Sequence, residues 1–187
     1  MSVLKQNLEE LKPQQNTKFL VPDGMHSAKC IAVADLGMIE NEYQKNKDGS
    51  PKIQPKVEII WAIDKKTEEG EALIIKKKFT LSTDDRANLT SMLKDIKVEI
   101  KSLDELLGTA CSIVTQQEQK DEKSRVYANV KTFMASANFT GDGILRLPKW
   151  YGVTKAQNEE SQYIEVLTGE GVIIATDTDT DSSDLPY

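Results

Sequence analysis

Val57-Glu58-Ile59-Ile60-Trp61-Ala62-Ile63 is the clearest strand signal in the chain: period-two alternation puts Val57, Ile59, Trp61 and Ile63 on one face. That phase assigns Trp61 to a core rather than to a stacking platform. Met25 to Leu36, rich in small and β-favouring residues, predicts an earlier strand that ends at Gly37. Between these two, Ile39 to Pro55 reads as a long polar connection built around the turn signal Asp48-Gly49. Glu68-Glu69-Gly70 turns the chain again, and Leu73 to Leu81 predicts a third strand.

The period then changes. Leu89, Met92, Leu93 and Ile96 follow one another at helical spacing, behind Ser82-Thr83-Asp84-Asp85, which has capping-box spacing. Ser102-Leu103-Asp104-Glu105 repeats the cap before a short turn that ends at Gly108. Two more strands are predicted, Thr109 to Gln117 and Arg125 to Met134, joined by the charged loop Glu118 to Ser124. Three strands, a helix and two strands is the layout of the OB-fold, a small, partly open barrel that binds oligonucleotides and oligosaccharides. The expected fold is therefore mainly β: a five-stranded OB-fold barrel over residues 19–134 with one helix between strands three and four. Residues 1–18 are expected to form a peripheral helical segment, with Leu4, Leu8 and Leu11 on one side and Pro13 closing it. In the extension 135–175, Tyr163 to Leu167 and Val172 to Ala175 flank Gly169-Glu170-Gly171 and suggest an added hairpin. Residues 176–187 read as a flexible acidic tail.

Charge sharpens this division. The chain carries a net −6, yet residues 1–134 hold 21 basic and 21 acidic side chains, and residues 135–187 hold 3 against 9. From Ala156 to Tyr187 there are eight Asp or Glu and no Lys or Arg. The body is thus neutral on average, and a neutral domain binds a polyanion if its lysines line one groove. The two cysteines, Cys30 and Cys111, have no framework spacing and read as buried thiols in a reducing compartment. No apolar run has bilayer-spanning length and Met1-Ser2-Val3-Leu4-Lys5 has no secretory pattern, so the expected location is cytoplasmic, with no membrane partner.

The tail ends Asp184-Leu185-Pro186-Tyr187. This resembles the C-terminal tip of single-stranded DNA-binding proteins, which commonly ends Asp-Asp-Ile-Pro-Phe, with Leu185 for isoleucine, Tyr187 for phenylalanine and Ser182-Ser183 diluting the acidic run. Val21-Pro22-Asp23-Gly24, Ile31 to Gly37, Lys78-Phe79-Thr80-Leu81-Ser82 and Leu107-Gly108-Thr109-Ala110-Cys111 are similar to stretches of the bacteriophage-encoded members of that group. The resemblance covers roughly residues 19–134 and the C-terminus and says nothing of 135–175. It implies a protein of the bacterial host cytoplasm that coats single-stranded DNA during phage replication or recombination. It also implies a tail in which Leu185, Pro186 and Tyr187 enter a pocket on a replication protein while Asp181 and Asp184 meet its basic rim. Homo-oligomers occur in the group, and none is specified by this sequence.

Holding unpaired strands without reading sequence needs cations for phosphates and flat side chains for base faces. Strict alternation in the fifth strand would put Arg125, Tyr127, Asn129, Lys131 and Phe133 on one outward face, opposite Val126, Ala128 and Val130. The long first connection adds Tyr43, Lys45, Lys47, Lys52 and Lys56, which would close over a bound strand. In the third strand Lys76 and Lys78 share a face with Thr80, while Ile75, Phe79 and Leu81 face the other way. Trp150-Tyr151 fits either an extended stacking surface or an anchor for the extension. His26, the only histidine, has Cys30 four residues on, which is poor geometry for a metal, so no metal site is expected. The ten glycines form neither GxxxxGK[ST] nor GxGxxG, and no paired acids stand out, so neither catalysis nor a cofactor is expected. Two other readings remain open on the same residues: an OB-fold adaptor that binds protein, and an RNA-binding OB-fold protein.

Overall fold

The polar and apolar pattern folds into nine strand segments and one α-helix in the computed structural model, which describes residues 19–82, 84–122, 124–148, 155–157 and 163–175. In chain order these are β1 (Gly24–Lys45), β2 (Pro51–Lys66), β3 (Ala72–Thr80), α1 (Asn88–Ile96), β4 (Ala110–Gln119), β5 (Val126–Ala135), β6 (Arg146–Leu147), β7 (Lys155–Gln157), β8 (Tyr163–Thr168) and β9 (Ile173–Ile174). The result is a mainly β protein with an open antiparallel sheet in the order β3-β2-β1-β4-β5. Beside β1 the sheet gains β8, and β7 pairs with β8. β1 serves two neighbours on one edge: residues 24–29 pair with β4, and residues 32–35 pair with β8.

β2 organises the interior because it is buried on both faces. Val57, Ile59, Trp61 and Ile63 point into a core shared with Phe79, Ile113, Val130 and the α1 residues Leu89, Met92 and Ile96. Ile60 and Ala62 point the opposite way into a second core, formed with Ala32 and Ala34 of β1 and with Leu147 and Val166 of the extension. Leu147 is 0% exposed, so the extension closes an interior rather than lying on a surface. Glu71 bridges to Ile144 in parallel, and Arg146 Nε reaches Glu71 Oε1 at 3.0 Å, fixing the extension beside the start of β3.

Several expectations need correction. The polar stretch 39–55 is not a loop, because β1 and β2 continue as a paired ribbon through Asn41↔Lys52 to Lys45↔Pro51. Both faces of this arm meet water along much of its length, so no hydrophobic alternation marks it, and ladder hydrogen bonds alone carry the pattern. Gly37 does not end β1; it follows a register shift at residues 35–37 and has a φ of 69°. The expected pairing of Tyr163–Leu167 with Val172–Ala175 does not form either; the antiparallel pair within the extension is β7 with β8. β8 pairs with β1 and β7, whereas β9 runs parallel to β6. The expected capping box does not form: Ser82 Oγ accepts from the Asp84 N–H and Asp84 Oδ1 from the Arg86 N–H, two local turns that use up the cap oxygens. α1 therefore starts at Asn88, with no side-chain hydrogen bond at its N-cap, Ala87. The expected helix over 1–18 and the acidic tail lie outside the described residues.

The most consequential correction concerns Phe133. Val114 pairs with Thr132 and Thr115 with Val130, so Lys131 is an extra residue in β5, a bulge. The bulge reverses the phase beyond it and turns Phe133 inward, where it is 6% exposed. Its ring lies 5.1 Å from that of Trp61 and 6.2 Å from that of Phe79. Phe133→Ala should cost about 3–5 kcal/mol in urea unfolding, the range for emptying a core aromatic. Leu147→Ala should cost about 2–5 kcal/mol in the same cooperative transition. A loss within about 0.5 kcal/mol, as for an exposed site, would show instead that the extension is a superficial flap.

Candidate nucleic-acid interface

Register places the expected cations. Along the β2–β3 ladder, Lys56 faces Thr80, Glu58 faces Lys78 and Ile60 faces Lys76. Directly opposed residues share a face, and period two carries that face back along β2 through Gln54 to Lys52. Lys52, Lys56, Lys76 and Lys78 therefore lie on one face of the β2–β3 ribbon, the face whose other end is the second core. Lys77, in the opposite phase, belongs to the Trp61 side.

Glu58 sits among these lysines, 4% exposed, with Oε1 3.9 Å from Lys76 Nζ. Burial lowers the pKa of Lys76, Glu58 partly offsets this by favouring its charge, and Lys78 lowers it further. Glu58 thus acts as a counter-ion inside a cationic row. Across the sheet the same row reaches Ala34 and Val166, where the cover supplied by the extension begins.

On the arm, Tyr43 is 92% exposed, and Lys45 and Lys47 are exposed beside the turn Asn46–Ser50. Asp48 shapes this turn by accepting from the Ser50 hydroxyl at 2.6 Å and the Ser50 N–H at 2.9 Å, and these bonds, led by that from the hydroxyl, hold its carboxyl below the usual range. The face of the arm opposite Lys52 and Lys56 carries Met38 and Ile53, 55% and 54% exposed.

The β4–β5 ribbon presents a second group. Arg125, Tyr127 and Lys131 are exposed, as expected, while Phe133 leaves them for the core. The cross-strand partner of Tyr127 is Glu118. Glu118 accepts from Lys131 through one carboxylate oxygen and from Asn129 Nδ2 at 2.8 Å through the other, and these bonds, led by that from Lys131, hold its carboxyl below the usual range. One of the cations on this face is therefore already engaged by an acid.

The two groups meet across a seam. β3 and β5 end the sheet order yet approach one another, with α1 against both. Lys77 spans the gap, donating from Nζ to the Val130 carbonyl at 3.1 Å, with its ammonium 5.5 Å from the Phe133 ring and 5.9 Å from the Phe79 ring. Sequence reading passed over Lys77 because it shares a phase with apolar residues. That discordance, a lysine between Ile75 and Phe79, was the available signal.

Other expectations fall into place around this surface. Trp61 is a core residue. His26 is buried, its Nε2 2.9 Å from the Pro22 carbonyl and 3.1 Å from Thr115 Oγ1, and its Nδ1 3.3 Å from Asp64 Oδ1 without hydrogen-bond geometry. It locks the start of β1 to β4. Cys30 and Cys111 are free and buried; burial above all pushes the Cys30 thiol up to about 12 and that of Cys111 up to about 11, so both stay protonated at neutral pH. Trp150-Tyr151 and the tail residues Asp181, Asp184, Leu185, Pro186 and Tyr187 lie outside the described residues. No protein-family model matches the chain, and no curated protein matches it.

Lys77 also yields a test with a defined sign. Burial first, then Lys131, lowers its pKa from the ordinary 10.5. Between that lowered value and 10.5 the unfolded chain binds more protons at this site, so the stability contribution of Lys77 rises with pH. Relative to Lys77→Met, the wild type should gain unfolding free energy as pH is raised from neutral towards that of an ordinary lysine. A difference that is flat with pH would place the ammonium in solvent rather than in the seam.

Proposed function

We propose that this chain is a sequence-independent single-stranded DNA-binding protein with an OB-type barrel, serving the replication or recombination of phage DNA without catalysis of its own. The observation that carries the reading is the common face of Lys52, Lys56, Lys76 and Lys78 on the β2–β3 ribbon, with Tyr43 exposed on the adjoining arm. The sheet order β3-β2-β1-β4-β5, with a helix beneath the β3–β5 gap, supports an OB-type barrel, whose strand 2–3 face and flanking loops take up oligonucleotides. In this reading the four lysines hold phosphates spaced along the bound strand and Tyr43 stacks on a base, and Lys45 and Lys47 draw the strand towards the arm. Arg125, Tyr127 and Lys131 offer further contacts across the seam, where a phosphate would compete with Glu118 for Lys131. The acidic tail, through Asp181, Asp184, Leu185, Pro186 and Tyr187, recruits a replication or recombination protein.

A second reading has its own observation. Met38 and Ile53 expose apolar surface on the other face of the arm, which suits a barrel that binds protein rather than nucleic acid. Salt dependence separates the two. Anisotropy titration of labelled oligothymidylate, oligoadenylate, oligouridylate and duplex at about 50 and 200 mM salt should show tight, base-tolerant binding to single strands and weak binding to duplex. Lys76→Ala and Lys78→Ala should each weaken binding to every single strand and flatten the log–log salt slope by about 0.7, the single-strand value per phosphate contact. Oligouridylate bound more tightly than oligothymidylate would assign the surface to RNA, and no binding at low salt would leave the protein adaptor.

A further inference from the structure

The face that carries the lysines does not end where they end. Beyond Lys76 it runs into Ile60, Ala62 and Ala32, and there the extension covers it with Leu147 and Val166. The cover is complete: Ile60, Ala62, Ala32 and Leu147 are each 0% exposed, and the Ala72 N–H donates to the Ile144 carbonyl at 2.9 Å. Its far edge is also tied down, since β8 is hydrogen-bonded into the sheet beside β1. Removing it would expose a fully apolar core, so it is part of the fold and not a displaceable lid.

We infer that the C-terminal extension is a fixed stop that sets the footprint of a bound strand, confining it to the distal half of the sheet face between Lys76 and the arm. The inference rests on the single-stranded nucleic-acid reading above and specifies which part of the surface is used. From Lys52 to Ile60, the residue opposite Lys76, β2 rises about 27 Å. A strand at the duplex spacing of about 3.4 Å per phosphate would lay about eight nucleotides along that length. Because Glu58 and Ile60 are buried, the path at this end runs over Lys78 and Lys76 of β3; it is bounded by Val166 on the β8 side and by Leu147 beyond Ile60, and neither offers a flat ring or a cation. Base stacking is thereby moved off the middle of the sheet, where Ala32 and Ala34 face the cover, and onto Tyr43 of the arm.

A length series and cross-linking test this on the full chain. Affinity for oligothymidylates of about 4, 8, 16 and 30 nucleotides is measured by competition, a series that covers and exceeds the span of about 4–16 nucleotides known for such barrels. Affinity per molecule should rise steeply to about eight nucleotides and thereafter only by the statistical factor for extra positions. Photo-cross-linking with a halogenated uracil should label Tyr43 and peptides carrying Lys52 to Lys56 or Lys76 to Lys78, and not the peptide carrying Leu145 to Leu147. Affinity that keeps climbing steeply to about 16 nucleotides, or adducts on Leu145 to Leu147, would overturn the stop while leaving the binding reading intact. No binding at any length would instead remove the reading on which the stop rests.

Discussion

The rest of this structure depends on a strand that has no solvent face. From Val57 to Ile63, β2 is buried residue after residue, and burying a strand on both sides demands a layer above and a layer below. One layer comes from the curling of the sheet itself, which brings β5 and α1 over Trp61. The other comes from the extension, which brings Leu147 of the separate β6–β9 pair over this face and adds Val166 of β8 beside β1. The odd and even residues of seven consecutive positions thus hold two cores together, and the extension is as structural as the sheet it covers.

The same constraint shapes the seam between β3 and β5. Bringing Phe133 against Trp61 and Phe79 requires a reversal of phase within β5, and the bulge at Lys131 provides it. A bulge interrupts regular pairing, and the neighbouring edge is held by a side chain: Lys77 sets its ammonium over the Phe133 and Phe79 rings and donates to the carbonyl of Val130. The displaced Lys131 faces outward and finds Glu118. One packing requirement therefore explains an inward aromatic, a half-buried lysine and an engaged surface cation. The lysine row of the other ribbon lies where β2 and β3 pair without a register shift, from Lys56 to Ala62.

Much of this was legible in the sequence wherever a local period governs it. The alternation of Val57 to Ile63, the helical spacing of Leu89, Met92 and Ile96, and the order of strands about that helix all appear as read. The unread parts are set by distant partners or by single-residue shifts. Ile60 and Ala62 complete an uninterrupted apolar run, a cue for burial on both faces, but nothing nearby says that residues some hundred positions later are the cover. The bulge at Lys131 has no composition of its own, and Phe133 could not be turned inward without it. The arm, wetted on both faces over much of its length, is strand by hydrogen bonding alone. Around the candidate interface, Lys76 and Lys78 sit on the face that their spacing gave, whereas Lys77 needed the seam.

What remains distinctive is a sheet face divided between two uses, apolar cover at one end and four lysines at the other, with Glu58 at the border. That division is the central claim, and amide and lysine-side-chain NMR shifts report on it directly. Titration of the full chain with oligothymidylate should perturb Lys52, Lys56, Lys76, Lys78 and Tyr43 in a common binding curve and leave Leu147 and Val166 at their free positions. Perturbations centred on Leu147 and Val166, or none on the four lysines at saturation, would contradict it.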